Sequence, residues 1–415
     1  MPSTPAHPAP PRASAWEVLR IFTRLGLTSF GGPVAHLGYF RTEFVERRRW
    51  LSEAAYAELV ALCQFLPGPA SSQVGMALGL QRAGYAGAAA AWAGFTLPSA
   101  IALVLFALGL ARLGTDSAWG QGALHGLKVV AVAVVAQAVW GMARTLCPDW
   151  PRRALAVAVA ALALLWPTPW TQVGLMALAG TLGAAGWLRT PAAPTGMAGT
   201  PPGGGATRLA ALWLTLFVAL LLGLPLLAAL TAGSGAHAGV ALVDAFYRAG
   251  ALVFGGGHVV LPLLQAEVVP SGWVSHEQFL AGYGAAQAVP GPLFTFAAFL
   301  GAARADAPTG WLGGFIALLA IFAPAFLLVA GALPFWERLR HNQKARQALL
   351  AVNAAVVGVL LAALMHPVGT HGLTSVADAL LAASALVALM RFKAPPWAVV
   401  LACAVAGALM GIVAA

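Results

Sequence analysis

Phe30-Gly31-Gly32-Pro33 interrupts an apolar segment at 16–37, and Gln64-Phe65-Leu66-Pro67-Gly68-Pro69 interrupts the next, at 55–80. Both strings return. Phe254-Gly255-Gly256-Gly257 lies in the segment 241–265, and Gln287-Ala288-Val289-Pro290-Gly291-Pro292 in 278–302, each displaced by 223–224 residues. Trp50-Leu51-Ser52 reappears as Trp273-Val274-Ser275 at the same displacement, Arg24 falls opposite Arg248, and Glu43 opposite Glu267. Ala123-Leu124 pairs more weakly with Ala348-Leu349. One tripeptide can recur by chance, but collinear matches at one spacing identify a duplicated unit.

The unit has six apolar segments. After the two broken ones come 84–112, 121–146, 153–166 and 170–188, and in the second copy 309–334, 345–366, 373–390 and 396–415. A further segment, 208–231, stands between the copies without a counterpart. Most can cross a hydrocarbon core of ~30 Å; 153–166 is short and needs bilayer thinning or interfacial help from Trp166 and Trp170. One extra crossing turns the second copy upside down, the inverted-repeat plan of secondary transporters. The expected organisation is a disordered tail at 1–15, a first repeat at 16–188, a Pro/Gly-rich linker at 189–207, a connecting helix at 208–231 and an inverted second repeat at 232–415. The expected fold is an all-α polytopic membrane protein.

Composition agrees. Of 415 residues 60% are hydrophobic and only 9% charged, with mean hydropathy +0.82. A soluble domain carries roughly a quarter charged residues, so a water-soluble enzyme and a disordered chain are excluded. The net charge of +10 fits basic cytoplasmic loops rather than a nucleic-acid surface. Cys63, Cys147 and Cys403 form neither a disulfide framework nor a metal-ligand pattern and read as packing residues. The start of the chain has no short apolar stretch followed by a small-residue cleavage site, so no secretory signal is expected.

Loop charges test the inversion. Arg41, Arg47, Arg48 and Arg49 precede Trp50, whereas the counterpart loop at 266–277 has no Lys or Arg. Arg144, Arg152 and Arg153 face a counterpart at 366–372 that again has none, and Arg338, Arg340, Lys344 and Arg346 face 113–120, which has none. If the four broken segments cross fully, the chain has thirteen crossings and the Arg41–Arg49 loop lies outside. If each enters and leaves on one face, there are nine crossings and four re-entrant hairpins, and that loop lies inside with the other basic ones. Both counts put the N-terminus in the cytoplasm and the C-terminus outside.

The breaks carry the chemistry. Proline removes a donor and glycine allows turns closed to other residues. In hydrocarbon the freed backbone groups persist only where protein or a polar cavity partners them, and a helix restarting there aims unpaired N–H groups at an anion. Gly31, Gly32 and Pro33, Pro67, Gly68 and Pro69, Gly255, Gly256 and Gly257, and Pro290, Gly291 and Pro292 are therefore candidate substrate contacts. Beside them Thr28, Ser29, Ser71, Ser72, Gln73 and Thr295 either bond their own helices or line a polar cavity. Arg24 and Arg248 each stand six residues before a Phe-Gly-Gly, and an Arg there snorkels or faces a cavity. Asp244 lies one turn before Arg248 and can pair with it. Lys128 and its counterpart Asn353 are polar positions within apolar segments and join the substrate candidates. His36, His258 and Glu58 are candidates for carrying a proton. His276-Glu277 lacks the second His of a zinc protease, and no Gly-rich loop ends in Lys-Ser or Lys-Thr, so neither an enzyme nor an ATP-driven pump is expected, and no cofactor or metal.

At these residues the chain resembles the chromate ion transporter family in its long two-domain form. The resemblance rests on Leu25-Gly26-Leu27-Thr28-Ser29-Phe30-Gly31-Gly32-Pro33, Phe44-Val45-Glu46-Arg47-Arg48-Arg49-Trp50, and Gln64 to Pro69. In the second copy it rests on Phe254 to Pro262 and Gln287 to Pro292, and it covers about 16–415. It implies an inner-membrane protein that exports chromate on the proton motive force and confers chromate resistance, with sulfate as the isosteric competitor. The partners expected are chromate or sulfate, protons and membrane lipid, with no nucleic acid; a homodimer stays open. Rival readings are a carrier or channel for sulfate or another anion, and a membrane-embedded redox enzyme.

Overall fold

The computed structural model describes residues 13–113, 117–187, 204–254, 256–336 and 342–414. Most of the expected tail and linker lies outside these residues, as do Gly255, Arg338 and Arg340. Every regular element described is helical.

Helix α1 (Ala15–Thr28) starts where Ser14 Oγ accepts the Glu17 amide at 3.1 Å. It ends at Phe-Gly-Gly, and α2 (Gly32–Arg41) restarts with Pro33 in its first turn, where the missing N–H costs nothing. A wide turn, Thr42–Arg47, leads to α3 (Glu53–Phe65), capped by Ser52. The Pro-Gly-Pro break then separates α3 from α4 (Ala70–Leu113), itself kinked where Ala83 and Gly84 leave helical geometry. Next come α5 (Ala118–Leu146), α6 (Trp150–Leu165), α7 (Pro169–Ala184) and α8 (Gly204–Leu230). The second half comprises α9 (His237–Ala251), α10 (Val260–Val268), α11 (His276–Ala286), α12 (Phe296–Ala303), α13 (Gly310–Ala332), α14 (Gln343–Ala363), α15 (Val376–Met390) and α16 (Pro396–Ala414).

Among the described residues five helices are long and apolar enough to cross a membrane: Ala70–Arg112, Ala118–Leu146, Thr207–Leu230, Gly310–Phe335 and Gln343–Gly372. The chain is a multi-pass membrane protein. The segments 16–37, 55–80, 241–265 and 278–302 are each broken into two helices at the Gly/Pro strings, and in 55–80 the second of them is the start of the long α4. The connecting helix begins at Gly204 rather than 208, and its span is only 6% buried. Leu222, Leu226 and Leu230 on it are exposed, as suits a surface covered by lipid.

The halves interlock by exchange. In the first half α6 and α7 pack on α14, while in the second α15 and α16 pack on α5, the counterpart of α14. Small residues set the closeness. Gly122 and Gly126 of α5 lie against the backbone of Cys403 and Gly407 of α16, and Gly358 of α14 lies against Ala156 of α6. Within each half the first helix packs on the long one, α1 on α4 at Gly26 and Gly94, α9 on α13 at Gly250 and Ile321. The three cysteines are free and buried.

Candidate functional site

The breaks meet, and they meet crosswise. The Gly68 amide, in the first Pro-Gly-Pro, donates to the Val253 carbonyl just before the second Phe-Gly-Gly at 2.7 Å. The Gly291 amide, in the second Pro-Gly-Pro, donates to the Ser29 carbonyl just before the first Phe-Gly-Gly at 2.9 Å. Each bond repeats the other at the sequence displacement of the duplication. A Cβ added to Gly257 would lie 3.4 Å from Pro33 Cγ and 3.8 Å from Leu293 Cβ, so the two pairs touch. The elements are positioned by glycine geometry: Gly68 has φ 119° and Gly291 φ 99°, values side-chain-bearing residues rarely adopt. A Cβ on Gly291 would also lie 3.0 Å from the Phe95 carbonyl and 2.9 Å from Ser99 Oγ of α4.

The buried, unpartnered oxygens at this junction lie on its first-half side, while the second-half break leaves Gln287 Nε2 buried without a partner among the described residues. Ser29 Oγ, His36 Nε2, Ser72 Oγ, Gln73 Oε1 and Thr96 Oγ1 are buried without a hydrogen-bond partner among the described residues. The second-half counterparts are Val253, Val260, Thr295, Phe296 and Phe322, and the only hydroxyl among them, Thr295 Oγ1, is spent on the Pro292 carbonyl at 2.8 Å. His36 is held by Ser71 Oγ at 3.4 Å and by the edge of Phe95. Gln73 Nε2 closes the first Pro-Gly-Pro turn on the Pro67 carbonyl at 2.7 Å. Gly31, Gly32 and Pro33 are at least partly exposed, as are Pro290 and Gly291, whereas Gly68, Pro69, Gly257 and Pro292 are buried. Pro67 and Gly256 are partly exposed.

Several other candidates sit elsewhere. Arg24 is exposed, and its guanidinium has no partner among the described residues. Thr28 bonds back to the Arg24 carbonyl. Arg248 is clamped: Nε reaches both Asp244 oxygens at 3.1 Å, and its terminal nitrogens reach Asp244 at 2.8 Å and Glu267 at 2.9 and 3.1 Å. Its guanidinium lies 5.6 Å from the Trp170 ring centre. Four of its five donors are taken by these carboxylates, and one is left for anything else. Asn353 is buried with Oδ1 unpartnered. His258 Nδ1 lies 2.8 Å from the Tyr283 hydroxyl, and Glu58 is on the exposed side of α3. Lys128 pairs with Glu277 at 3.1 Å and lines a cavity of about 1140 Å³ walled by α4, α5, α11, α12, α15 and α16. From that cavity α11 runs on toward Pro290-Gly291-Pro292.

Sequence reading missed Thr96 and Ser99, although Pro98 recurs as Pro324, and comparing Thr96 with Phe322 and Ser99 with Ala325 exposes the asymmetry. It also missed His125 and Asp378, which pair across the cavity at 2.6 Å; their partnership joins distant helices and leaves no mark in local spacing.

The profile of the chromate transporter family matches residues 16–187 and 240–408. A Synechococcus elongatus protein named a probable chromate transport protein is 29% identical over 97% of this chain and 96% of its own length. A Pseudomonas aeruginosa chromate transport protein is 30% identical over 85% of this chain and 80% of its own. An uncharacterized transporter of Bacillus subtilis, YwrA, is 30% identical over 41% of this chain yet 95% of itself, the proportion of a single unit. No solved structure matches. The two profile matches fall on the two halves whose breaks meet crosswise, and the chain belongs to the chromate transporter family.

Proposed function

We propose that this protein is a secondary transporter that exports chromate across the inner membrane, driven by the proton motive force, and so confers chromate resistance. The observation that carries the reading is the junction: four Gly/Pro breaks joined crosswise by backbone hydrogen bonds, with a set of buried, unpartnered oxygens and an imidazole nitrogen on the first-half side. A buried polar atom without a partner costs about 1–3 kcal/mol, so such a concentration belongs where a polar solute completes it. A tetrahedral dianion offers four oxygens to Ser29, Ser72, Thr96 and the free amides of the restarting helix around Gly32, Pro33 itself having none. The names of the relatives supply the choice of chromate.

The reading includes two repeats of opposite orientation around that junction. Its supports are the crosswise bonds, the exchanged helix pairs, the unpaired α8 between the halves and the alternating loop charges. The alternation extends further, since Arg391 and Lys393 stand between α15 and α16 while Trp166 to Pro169, between α6 and α7, has neither Lys nor Arg. The N-terminus is then cytoplasmic and the C-terminus outside. Lengths of 14 residues for α1 and 10 for α2 favour re-entrant hairpins over full crossings.

The test is chromate uptake into inside-out vesicles with the pH gradient and the electrical potential imposed separately, and with sulfate and molybdate as competitors. Uptake that depends on the protein and collapses with an uncoupler is expected. Uptake of sulfate with chromate inert would reassign the substrate, and gradient-independent flux would make the protein a channel.

A further inference from the structure

Helix α1 leaves one face uncovered, and that face is cationic. Val18, Ile21, Phe22 and Leu25 are buried where α1 packs on α4, while Trp16, Arg20, Arg24 and Thr28 recur every four residues along the other side, all exposed. Among the described residues neither the Arg20 nor the Arg24 guanidinium has a partner. The carboxylates nearby are already taken. Glu17 pairs with Arg48 at 3.7 Å, Glu43 with Arg47 at 3.1 Å and Arg48 at 2.6 Å, and Glu46 and Glu53 with Arg41. The stripe runs to the first break, where Gly31 is exposed, Gly32 and Pro33 are partly so, and Ser29 is buried with Oγ unpartnered.

Depth decides what this face meets. Arg24 lies eight residues past Trp16, about 12 Å along the axis, and a tryptophan suits the interfacial level. That puts Arg24 near the middle of a hydrocarbon core of ~30 Å. An arginine turned to lipid there is costly, whereas one lining a water-filled recess is not. The second half shows the alternative. Asp244 stands opposite Arg20 and Arg248 opposite Arg24, both displaced by 224 residues. Asp244 and Arg248 neutralise each other, and Glu267, whose loop has no Lys or Arg, adds a second carboxylate to Arg248. Glu43, the counterpart of Glu267, is drawn instead to Arg47 and Arg48 of its own loop, which leaves Arg20 and Arg24 as free cations.

We propose that the exposed face of α1 is the cytoplasmic approach of the oxyanion to the junction, with Arg20 and Arg24 capturing the dianion in turn before it reaches Gly31 to Pro33. The proposal rests on the transport reading and adds to it a route of entry and a source of one-sidedness. A dianion is drawn in from the cytoplasm by two charges whose second-half counterparts are neutralised. Fixed cations along a recess raise the rate of capture and make it sensitive to ionic strength. Capture needs positive charge rather than a forked donor, so lysine can serve.

Initial rates of radiolabelled chromate uptake are measured in inside-out vesicles, which present the cytoplasmic face to the medium, across chromate concentrations and at two ionic strengths. Wild type is expected to show a KM that rises with salt. Arg20→Gln with Arg24→Gln is expected to raise KM about tenfold at low salt, keep Vmax within about threefold and lose most of the salt effect. Arg20→Lys with Arg24→Lys is expected to stay near wild type. Arg208→Gln, which removes an exposed charge from α8, is expected to leave KM unchanged. A membrane-impermeant maleimide is then applied to Arg24→Cys and Thr28→Cys, the native Cys63, Cys147 and Cys403 being buried. Labelling from the cytoplasmic face is expected. Wild-type KM in the double glutamine variant, or an equal rise in Arg208→Gln, overturns the route. Loss of transport in both double variants overturns it as well, by making the two arginines part of the framework. So does a cysteine that fails to label, the sign of a face covered by lipid or by a second copy, or one that labels from the outer face alone. Wild type without protein-dependent chromate uptake overturns the transport reading itself.

Discussion

Replacing Gly291 with alanine sets a methyl group 2.9 Å from Ser99 Oγ and 3.0 Å from the Phe95 carbonyl, at a φ of 99°. The strain alone is about 1–3 kcal/mol, and relieving it pulls the Gly291 amide from Ser29. Gly291→Ala is expected to lower the melting temperature in detergent and to depress chromate transport, while Gly223→Ala, which meets nothing within 4 Å, leaves both unchanged. Arg248 makes a different demand. Its removal leaves Asp244 and Glu267 facing each other at low exposure, so Arg248→Ala is expected to cost about 3–5 kcal/mol. A thermal melt checks it, with Arg248→Lys in between because one ammonium cannot serve two carboxylates in the same fork geometry. The Asp244 partnership was legible from its spacing of one helical turn. The second carboxylate was not, because Glu267 reaches Arg248 from another helix and only the fold brings them together.

Two elements close on each other through glycines spaced four apart, Gly122 and Gly126 on α5 against Gly407 and Gly411 on α16. Because these backbones touch, Gly126→Leu is expected to force the helices apart and to reduce the yield of folded protein sharply in size-exclusion chromatography, whereas Gly141→Leu on the same helix, with nothing within 4 Å, is not. The turn Thr42–Arg47 has its own dependence on pH. Burial pushes the Glu43 carboxyl up, but hydrogen bonds from Arg48 at 2.6 Å and Arg47 at 3.1 Å outweigh it and hold the group below the usual carboxylate range. A carboxyl depressed by folding contributes stability that is full above its unfolded pKa of about 4.3 and fades as pH falls through the folded value. Wild type and Glu43→Gln are therefore expected to differ in melting temperature at pH 7 and to converge only once pH falls below the depressed folded value. Breaks were easier to read from sequence than helix lengths. Gly and Pro forbid a continuous helix wherever they fall, whereas the kink at Ala83–Gly84 has only one glycine to announce it.

Neither half covers all of its own helices. With α15 and α16 covering α5, and α6 and α7 covering α14, a chain cut in the 189–203 stretch is expected to yield two fragments that are degraded when expressed singly. Expressed together they should copurify, and copurification from membranes checks it. The duplication behind this arrangement was readable because short Gly/Pro strings recur in order, but the exchange of helix pairs was not, since apolar faces of Ala, Val and Leu carry no address. The uneven polarity of the junction lay in plain view at Ser71-Ser72-Gln73 against Phe294-Thr295-Phe296. It became meaningful only once Thr96 and Ser99 were found beside the same breaks.

The two crosswise bonds, Gly68 to Val253 and Gly291 to Ser29, are made by main-chain atoms alone. A side-chain substitution can strain them but cannot delete the donor or the acceptor, and proline is the sole natural residue without the amide. After a gene doubled, its copies were thus free to drift nearly everywhere, one keeping Ser29, Gln73 and Thr96 beside the breaks where the other has Val253, Phe296 and Phe322, without losing the stitch that aligns them. Ancestral symmetry survives in the peptide backbone after it has faded from the alphabet.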